Sequence, residues 1–133
     1  MLDIARLFER FNRRPGASEI AIAEAEEQFG LKLPAEYVQF LKLTDGGEGF
    51  IGGQYAILLA VEELHSTNQD CEFMKYMPGF LGFGSNGGGE AYGFDTRDPL
   101  RPVVQVPFIG AAWKDASPLG ESFNSFLEKL HAE

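Results

Sequence analysis

Apolar residues near the start of the chain recur at the spacing of an α-helix. The positions i, i+3, i+4 and i+7 are taken there by Ile4, Leu7, Phe8 and Phe11. This spacing places the four side chains on one face and predicts an amphipathic first helix. A proline and a glycine in the segment 12–16 predict its end.

Two further helices are predicted before residue 47. Ser18 is a suitable N-cap for the second, and Gly30 is placed for a left-handed stop at its end. Leu33-Pro34 begins the third, because proline is tolerated in a first helical turn. Its apolar stripe consists of Tyr37, Phe40 and Leu41. The Asp-Gly-Gly run at 45–47 closes it.

Beyond residue 47 the pattern changes to short apolar and β-branched runs separated by glycines, which is typical of strands. Strands are predicted at 50–51, 55–61, 80–83, 91–94 and 103–108. The glycine-rich segment 84–90 predicts a hairpin turn between the third and fourth of them. Between the second and third, we expect a short helix at 62–68 and an irregular crossover at 69–77.

The last strand and the final helix complete the prediction. Pro102 and Pro107 predict that the strand at 103–108 lies at a sheet edge or ends at a bulge. A second helical stripe follows at Phe123, Phe126, Leu127 and Leu130. Glu121 or Ser122 would begin this helix.

The order of these elements predicts the fold class. Helices, then antiparallel strands, then a helix indicate an α+β fold with N-terminal helices, a central mostly antiparallel sheet and a C-terminal helix. The chain has 133 residues and is 44% hydrophobic. We therefore expect a single globular domain over residues 1–133.

Charge and cysteine content narrow the classes of partner and compartment. The formal net charge of −9 disfavours contact with nucleic acid phosphates or an anionic membrane surface. It would attract a basic protein, although solubility alone is an equal explanation. Cys71 is the one cysteine, so no internal disulfide is possible and we expect a cytoplasmic protein. No apolar run approaches the ~20 residues of a membrane span.

The residues that could carry chemistry do not form a recognisable catalytic set. The glycine-rich turn has no phosphate-reaching lysine, and Ser85 lacks the surroundings of a nucleophile elbow. We interpret His65 and His131 as surface residues and Cys71 as filler or an inert thiol. An acid/base pair among Glu62, Glu63, Asp70 and Glu72 would require an apolar pocket.

Metal and nucleic acid sites are also not indicated. One cysteine and two distant histidines cannot form a closed zinc site, and the segment 95–98 lacks the rest of an EF-hand. We therefore predict no cofactor, no metal and no enzymatic activity. A packed aromatic core is the expected role of Phe80, Phe83, Tyr92, Phe94, Phe108 and Trp113.

Several segments together resemble the SUKH superfamily. They are Leu-Pro-Ala-Glu-Tyr-Val-Gln-Phe-Leu at 33–41, Thr-Asp-Gly-Gly at 44–47, the run 80–90 with Tyr-Gly-Phe-Asp at 92–95, and Ser-Phe-Asn-Ser-Phe-Leu at 122–127. The resemblance implies a non-enzymatic α+β domain with helices around a mixed or antiparallel sheet. Bacterial members of this superfamily are immunity proteins that block toxins, often nucleases or deaminases. The fungal branch regulates cell-wall synthesis through protein contacts.

The immunity interpretation is preferred, because this short chain lacks the long disordered extensions expected of the fungal branch. A basic toxin domain would then be the partner, and steric occlusion the mechanism. A regulatory or scaffolding module is the alternative, and a small-ligand domain that uses the glycine hairpin is a third. The predicted contact groups are polar residues on loops, where binding residues concentrate: Asp45, Glu48, Asn86, Glu90, Asp95 and Asp98. Each could equally be a cap or turn former.

Overall fold

A computed structural model describes residues 3–133, which form a seven-stranded antiparallel sheet whose strand order follows the chain. The strands are β1 (Arg10–Arg13), β2 (Gly47–Ile51), β3 (Gln54–Leu58), β4 (Phe80–Ser85), β5 (Glu90–Asp95), β6 (Val103–Pro107) and β7 (Ser117–Gly120). The helices are α1 (Ile4–Leu7), α2 (Glu19–Phe29), α3 (Ala35–Leu43), α4 (Leu64–Asp70), α5 (Phe73–Tyr76) and α6 (Phe123–Ala132). Short 3₁₀ helices cover Val61–Glu63 and Trp113–Asp115. The α+β prediction is confirmed.

The capping residues set the ends of the long helices. Ser18 accepts a hydrogen bond from the Ala21 N–H at 3.1 Å, and Gly30 ends α2 with a φ of 70°. Ser122 caps α6 in the same way, through the Ser125 N–H. These caps satisfy backbone groups that a helix end leaves without partners. Helix α3 begins after Pro34 without a side-chain cap, and the predicted second, third and last helices are all confirmed.

The predicted first helix is wrong beyond its first turn. Helix α1 ends at Leu7, and Phe11 lies in strand β1, where it pairs with Gly49 of β2. Glycine at 49 leaves the room that this approach needs, since a side chain there would begin 2.9 Å from the Phe11 Cα atom. Both conformations would bury Phe11. The strand also gives the outer edge of β2 its hydrogen-bond partners, which the helix would not.

The strands differ from the prediction at the sheet's far edge. Strand β7 was not predicted, because Ser-Pro-Leu-Gly has no apolar alternation. It pairs with β6, so β6 is not an edge strand, and the register irregularity lies at Val103/Val104, where β6 begins, rather than near Pro107, where it ends. The segment predicted as an irregular crossover contains the one-turn helix α5.

The described residues pack into two apolar clusters, one on each face of the sheet. The larger one includes buried residues of α2, α3 and α6, among them Ile22, Tyr37 and Phe126. The smaller one lies over β4–β6, where Phe73 and Met77 from the α5 segment cover Val106. Of the predicted aromatic core, Phe108 is 38% exposed and Trp113 is half-buried, whereas the other four are buried.

A buried amide joins α4 to the sheet. Strands β3 and β4 pair at Ile57–Ser85 and Leu58–Gly84, and Gly82 lies beyond this pairing. The Asn68 side chain takes over there: it accepts from the Gly82 N–H at 2.8 Å and donates to the Gly82 carbonyl at 2.9 Å. It also donates to the Leu64 carbonyl at 2.8 Å. Asn68 therefore satisfies backbone groups that would otherwise be buried without partners.

Tyr37 places a polar hydroxyl group inside the main apolar core. Its ring is buried among Phe40, Phe83, Phe94 and Phe123. Its hydroxyl has no hydrogen-bond partner among residues 3–133. Burial raises the pKa of Tyr37 far above its ordinary value, and the Asp45 carboxylate adds to this. The neutral phenol is therefore the favoured form in the folded protein.

Tyr37→Phe is expected to leave the free energy of unfolding unchanged or to raise it by about 1 kcal/mol, because it removes an unpartnered buried polar group. Urea denaturation of both proteins measures the change. A loss of more than about 1 kcal/mol would show that the hydroxyl contributes a hydrogen bond.

Candidate partner-binding site

The sheet face opposite the larger apolar cluster is exposed over β1–β3. Exposure alternates along β2, where Glu48 and Phe50 are exposed between buried neighbours. Strand pairing places outward residues of β1 and β3 beside them. We call this surface the open face, and it consists of Arg10, Asn12, Glu48, Phe50, Tyr55 and Ile57. No element among the described residues packs over it in the way that α5 packs over β4–β6.

Four side chains of the open face form a continuous row of contacts. The Arg10 guanidinium lies 4.7 Å from the centre of the Phe50 ring. Phe50 meets Tyr55 edge to face, with ring centres 5.3 Å apart and an interplanar angle of 80°. The Tyr55 hydroxyl donates a hydrogen bond to the Glu48 carboxylate. Each contact limits the rotamers of the next side chain, so less conformational freedom remains to be lost when a partner binds.

The contact with Glu48 changes the acidity of Tyr55. The hydrogen bond to the carboxylate raises the pKa of the phenol above its ordinary value of 10.0, and partial desolvation and the negative charge of Glu48 add to the effect. A neutral phenol can donate to a carboxylate, whereas a phenolate would be repelled by it. The row is therefore intact at neutral pH and is lost when Tyr55 ionises.

Glu48→Ala is expected to move the pKa of Tyr55 down towards its ordinary value, because it removes the acceptor and the charge together. NMR titration of the Tyr55 ring signals between neutral and alkaline pH measures it. An unchanged midpoint in the variant would contradict the contact.

An apolar cavity of about 50 Å³ lies next to the open face. It is lined by Ile57, Leu59, Thr67, Phe73, Gly82, Gly84, Ser85 and Phe108. It forms where β4 diverges from β3 and the Asn68 side chain of α4, rather than a strand, binds the β4 backbone. The two glycines in its wall contribute no side chains to fill the gap. Several lining residues, including Thr67 and Ser85, are partly exposed, so the cavity reaches the molecular surface.

The open face and the cavity are continuous. Ile57 belongs to both. The glycine-rich turn lies beside them, since a side chain at Gly87 would begin 3.4 Å from the Tyr55 ring and 3.6 Å from Ile57 Cδ1. On the far side the Phe108 N–H donates to the Gly89 carbonyl at 2.9 Å, and the next residue, Ile109, is 94% exposed. An apolar strip therefore runs from Phe50 to Ile109.

Four of the six predicted contact residues are engaged with their own backbone surroundings. Asp45 accepts from the Val61 N–H at 2.7 Å, and Asn86 accepts from Gly88 N–H at 2.8 Å. Asp95 accepts from the Arg97 N–H at 3.1 Å and twice from the Arg97 side chain, and this pairing lowers the pKa of the Asp95 carboxyl. Asp98 accepts from the Leu100 N–H at 2.9 Å. Each of these four side chains therefore acts as a cap or turn former, which was the alternative to a contact role.

The six predicted residues are also not brought together. Glu48 lies on the open face, whereas Glu90 alternates with Ala91 and so faces the opposite side of the sheet. On that side its charge helps to raise the pKa of Tyr92 to about 12, after burial and the Glu133 carboxylate. Asn86 lies beside Glu90, where β5 begins, and Asp95 lies where β5 ends. The strand between them is about 17 Å long at the usual rise per residue. The site prediction therefore stays a prediction, with Glu48 as its member on the open face.

The sequence prediction missed four members of the open face as contact residues. Arg10 falls in the predicted first helix, and Phe50, Tyr55 and Ile57 fall in predicted short strands, with no outward direction assigned to any of them. The alternation of glycine with Glu48 and Phe50 in Gly-Glu-Gly-Phe-Ile is the signal that could have revealed their outward direction.

The cysteine and the two histidines lie in surroundings that favour a structural role over a catalytic one. Burial raises the pKa of the Cys71 thiol, with a further effect from Asp70, so the unreactive protonated form is favoured. His65 is partly buried against Phe29, with ring centres 5.3 Å apart. His131 Nδ1 lies 2.9 Å from the Arg6 guanidinium. Within residues 3–133, no group of three or more His, Cys, Asp or Glu side chains could hold a metal ion.

The Thr-Asp-Gly-Gly segment at 44–47 has a structural role. Thr44 is buried, accepts from the Arg14 N–H at 2.9 Å and donates to the Gly46 carbonyl at 2.7 Å. With the Asp45–Val61 contact, it connects the loop before β2 to two other segments.

No helix that the structure describes is long and apolar enough to cross a bilayer.

The fold and the exposed strip define an α+β domain that offers a preformed surface of aromatic and charged side chains. The chain belongs to the SMI1 / KNR4 family (SUKH-1), whose family model matches residues 16–129. This match confirms the resemblance seen in the sequence. The family is generally non-catalytic, and membership implies a protein-interaction role, in immunity or regulation, with a protein partner. No curated protein matches the chain significantly.

Proposed function

We propose that the protein is an immunity-type binding protein that neutralises a cognate toxin by covering the toxin's active site. The observation that carries this proposal is the ordered row Arg10–Phe50–Tyr55–Glu48 on a sheet face that no described element covers. Tyrosine and arginine are enriched among the residues that dominate binding energy at protein interfaces. Side chains held in place before binding lose little conformational entropy in the complex.

The charge of the chain supports a basic partner. A net charge of −9 accelerates encounter with a positively charged domain, such as a nuclease or a deaminase that acts on nucleic acid. The apolar strip from Phe50 to Ile109 would then provide the close contacts. Inhibition by occlusion requires no catalytic group, in agreement with the structural surroundings of Cys71, His65 and His131. A cytoplasmic location is part of the proposal and agrees with the single cysteine.

Co-expression with the product of the adjacent open reading frame tests this function. We expect that product to be toxic when expressed alone, to lose its toxicity when this chain is co-expressed, and to co-purify with it. A neighbouring product that is neither toxic nor bound would contradict the proposal. Stable co-purification with a non-toxic cellular enzyme would favour the regulatory alternative instead.

A further inference from the structure

The cavity beside the open face has the size and chemistry of a pocket for one side chain. Its volume of about 50 Å³ is roughly a third of the ~150 Å³ of an apolar cavity that binds benzene, a ring of six carbons. The space therefore accommodates about two methyl-sized groups. Its wall is almost entirely apolar, so a water molecule inside would find few hydrogen-bond partners. An aliphatic group would gain the dispersion contacts that the wall atoms lack when the cavity is empty.

Two carboxylates lie on different sides of this cavity. Glu48 stands directly opposite Ile57 in the β2–β3 pairing, and Ile57 lines the cavity. Asp70 lies one helical turn beyond Thr67, which lines the opposite wall on α4. Both carboxylate residues are exposed, and neither forms a salt bridge with any residue in the described part of the chain. A cation beside the cavity could therefore pair with either of them.

The charge also distinguishes between the possible occupants. A second copy of this chain would bring another nine negative charges to the same surface, and the two copies would repel each other. A basic segment of another protein would be attracted. The aliphatic wall and the neighbouring carboxylates call for an aliphatic residue that has a lysine or arginine close to it in the partner.

We propose that the cavity receives the terminal methyl groups of one valine, leucine or isoleucine side chain of the partner protein, and that an adjacent lysine or arginine of the partner pairs with Glu48 or Asp70. This inference rests on the proposed function only in taking the partner to be a protein. It assigns the anchoring pocket and the local sequence that the pocket selects.

Selection of peptides from a phage-displayed library of random sequences tests the pocket without knowledge of the partner. We expect the enriched peptides to combine an aliphatic residue with a nearby lysine or arginine. Thr67→Met should weaken their binding by about tenfold or more, because the longer side chain occupies the cavity. Gln69→Met, on the exposed side of the same helix, is the matched control and should leave the binding unchanged.

The outcomes separate this inference from the proposed function. Enriched peptides that are acidic, or that bind wild type and Thr67→Met equally, would overturn the pocket, as would failure to enrich any peptide. Rescue from the neighbouring toxin that persists at full strength in Thr67→Met would also overturn it and leave the immunity function standing. A wild-type dimer that becomes a monomer in Thr67→Met would make a second copy the occupant and contradict the proposal. Thermal unfolding of both variants confirms that each is folded.

Discussion

Replacing Asn68 by alanine is expected to lower the free energy of unfolding by about 3 kcal/mol, because it leaves the N–H and the carbonyl of Gly82 buried without partners. The packing of α4 against β4 depends on this amide, since β3 does not pair with β4 at that position. Urea or thermal denaturation measures the loss.

Gln69→Ala is the matched control for Asn68, because Gln69 is the next residue of the same helix and is exposed. It is expected to change the free energy of unfolding by no more than about 0.5 kcal/mol. Equal stabilities of the two alanine variants would show that the amide contacts contribute nothing.

Tyr55→Ala is expected to weaken binding of the cognate partner by about 30-fold, which corresponds to about 2 kcal/mol. The substitution removes the ring that orients Phe50 and the hydroxyl that binds Glu48. Calorimetry or surface plasmon resonance with the purified partner measures the change in affinity. Because Tyr55 is on the partly exposed side of its strand, we expect only a small change in stability.

Tyr76→Ala provides the control for Tyr55. Tyr76 is 58% exposed and lies on α5, which covers the other half of this sheet face. The same loss of an aromatic ring outside the open face should leave the affinity unchanged. If both variants weaken binding equally, the binding surface extends over α5. If only Tyr76→Ala weakens it, the assignment of the open face is wrong.

The sequence predicted the elements whose signals are local. Caps and apolar stripes identified α2, α3 and α6, because a helix satisfies its hydrogen bonds within one segment. Strands β1 and β7 could not be predicted, because each is defined by the neighbouring strand with which it pairs. Phe11 illustrates the difficulty, since its spacing fits a helical stripe while its burial against Gly49 requires a strand.

The candidate site was less accessible to sequence reasoning than the fold. Polar residues in loops attract attention as contact groups, yet Asp45 and Asn86 use their side-chain oxygens to bind nearby backbone N–H groups. Conversely, Phe50 and Tyr55 are aromatic residues of the kind that is usually buried in a core. Their exposure follows from which face of the sheet is covered, and this depends on where α5 folds back. Such long-range information is not contained in any short pattern.

Hydrogen–deuterium exchange of the complex with the neutralised toxin tests the central claim most directly. The open face is predicted to be the contact surface, so peptides that cover 47–58 and 105–110 should gain protection on binding. Peptides that cover 19–43, on the helical side, should exchange as in the free protein. Protection confined to the helical side, with 47–58 unchanged, would contradict the account.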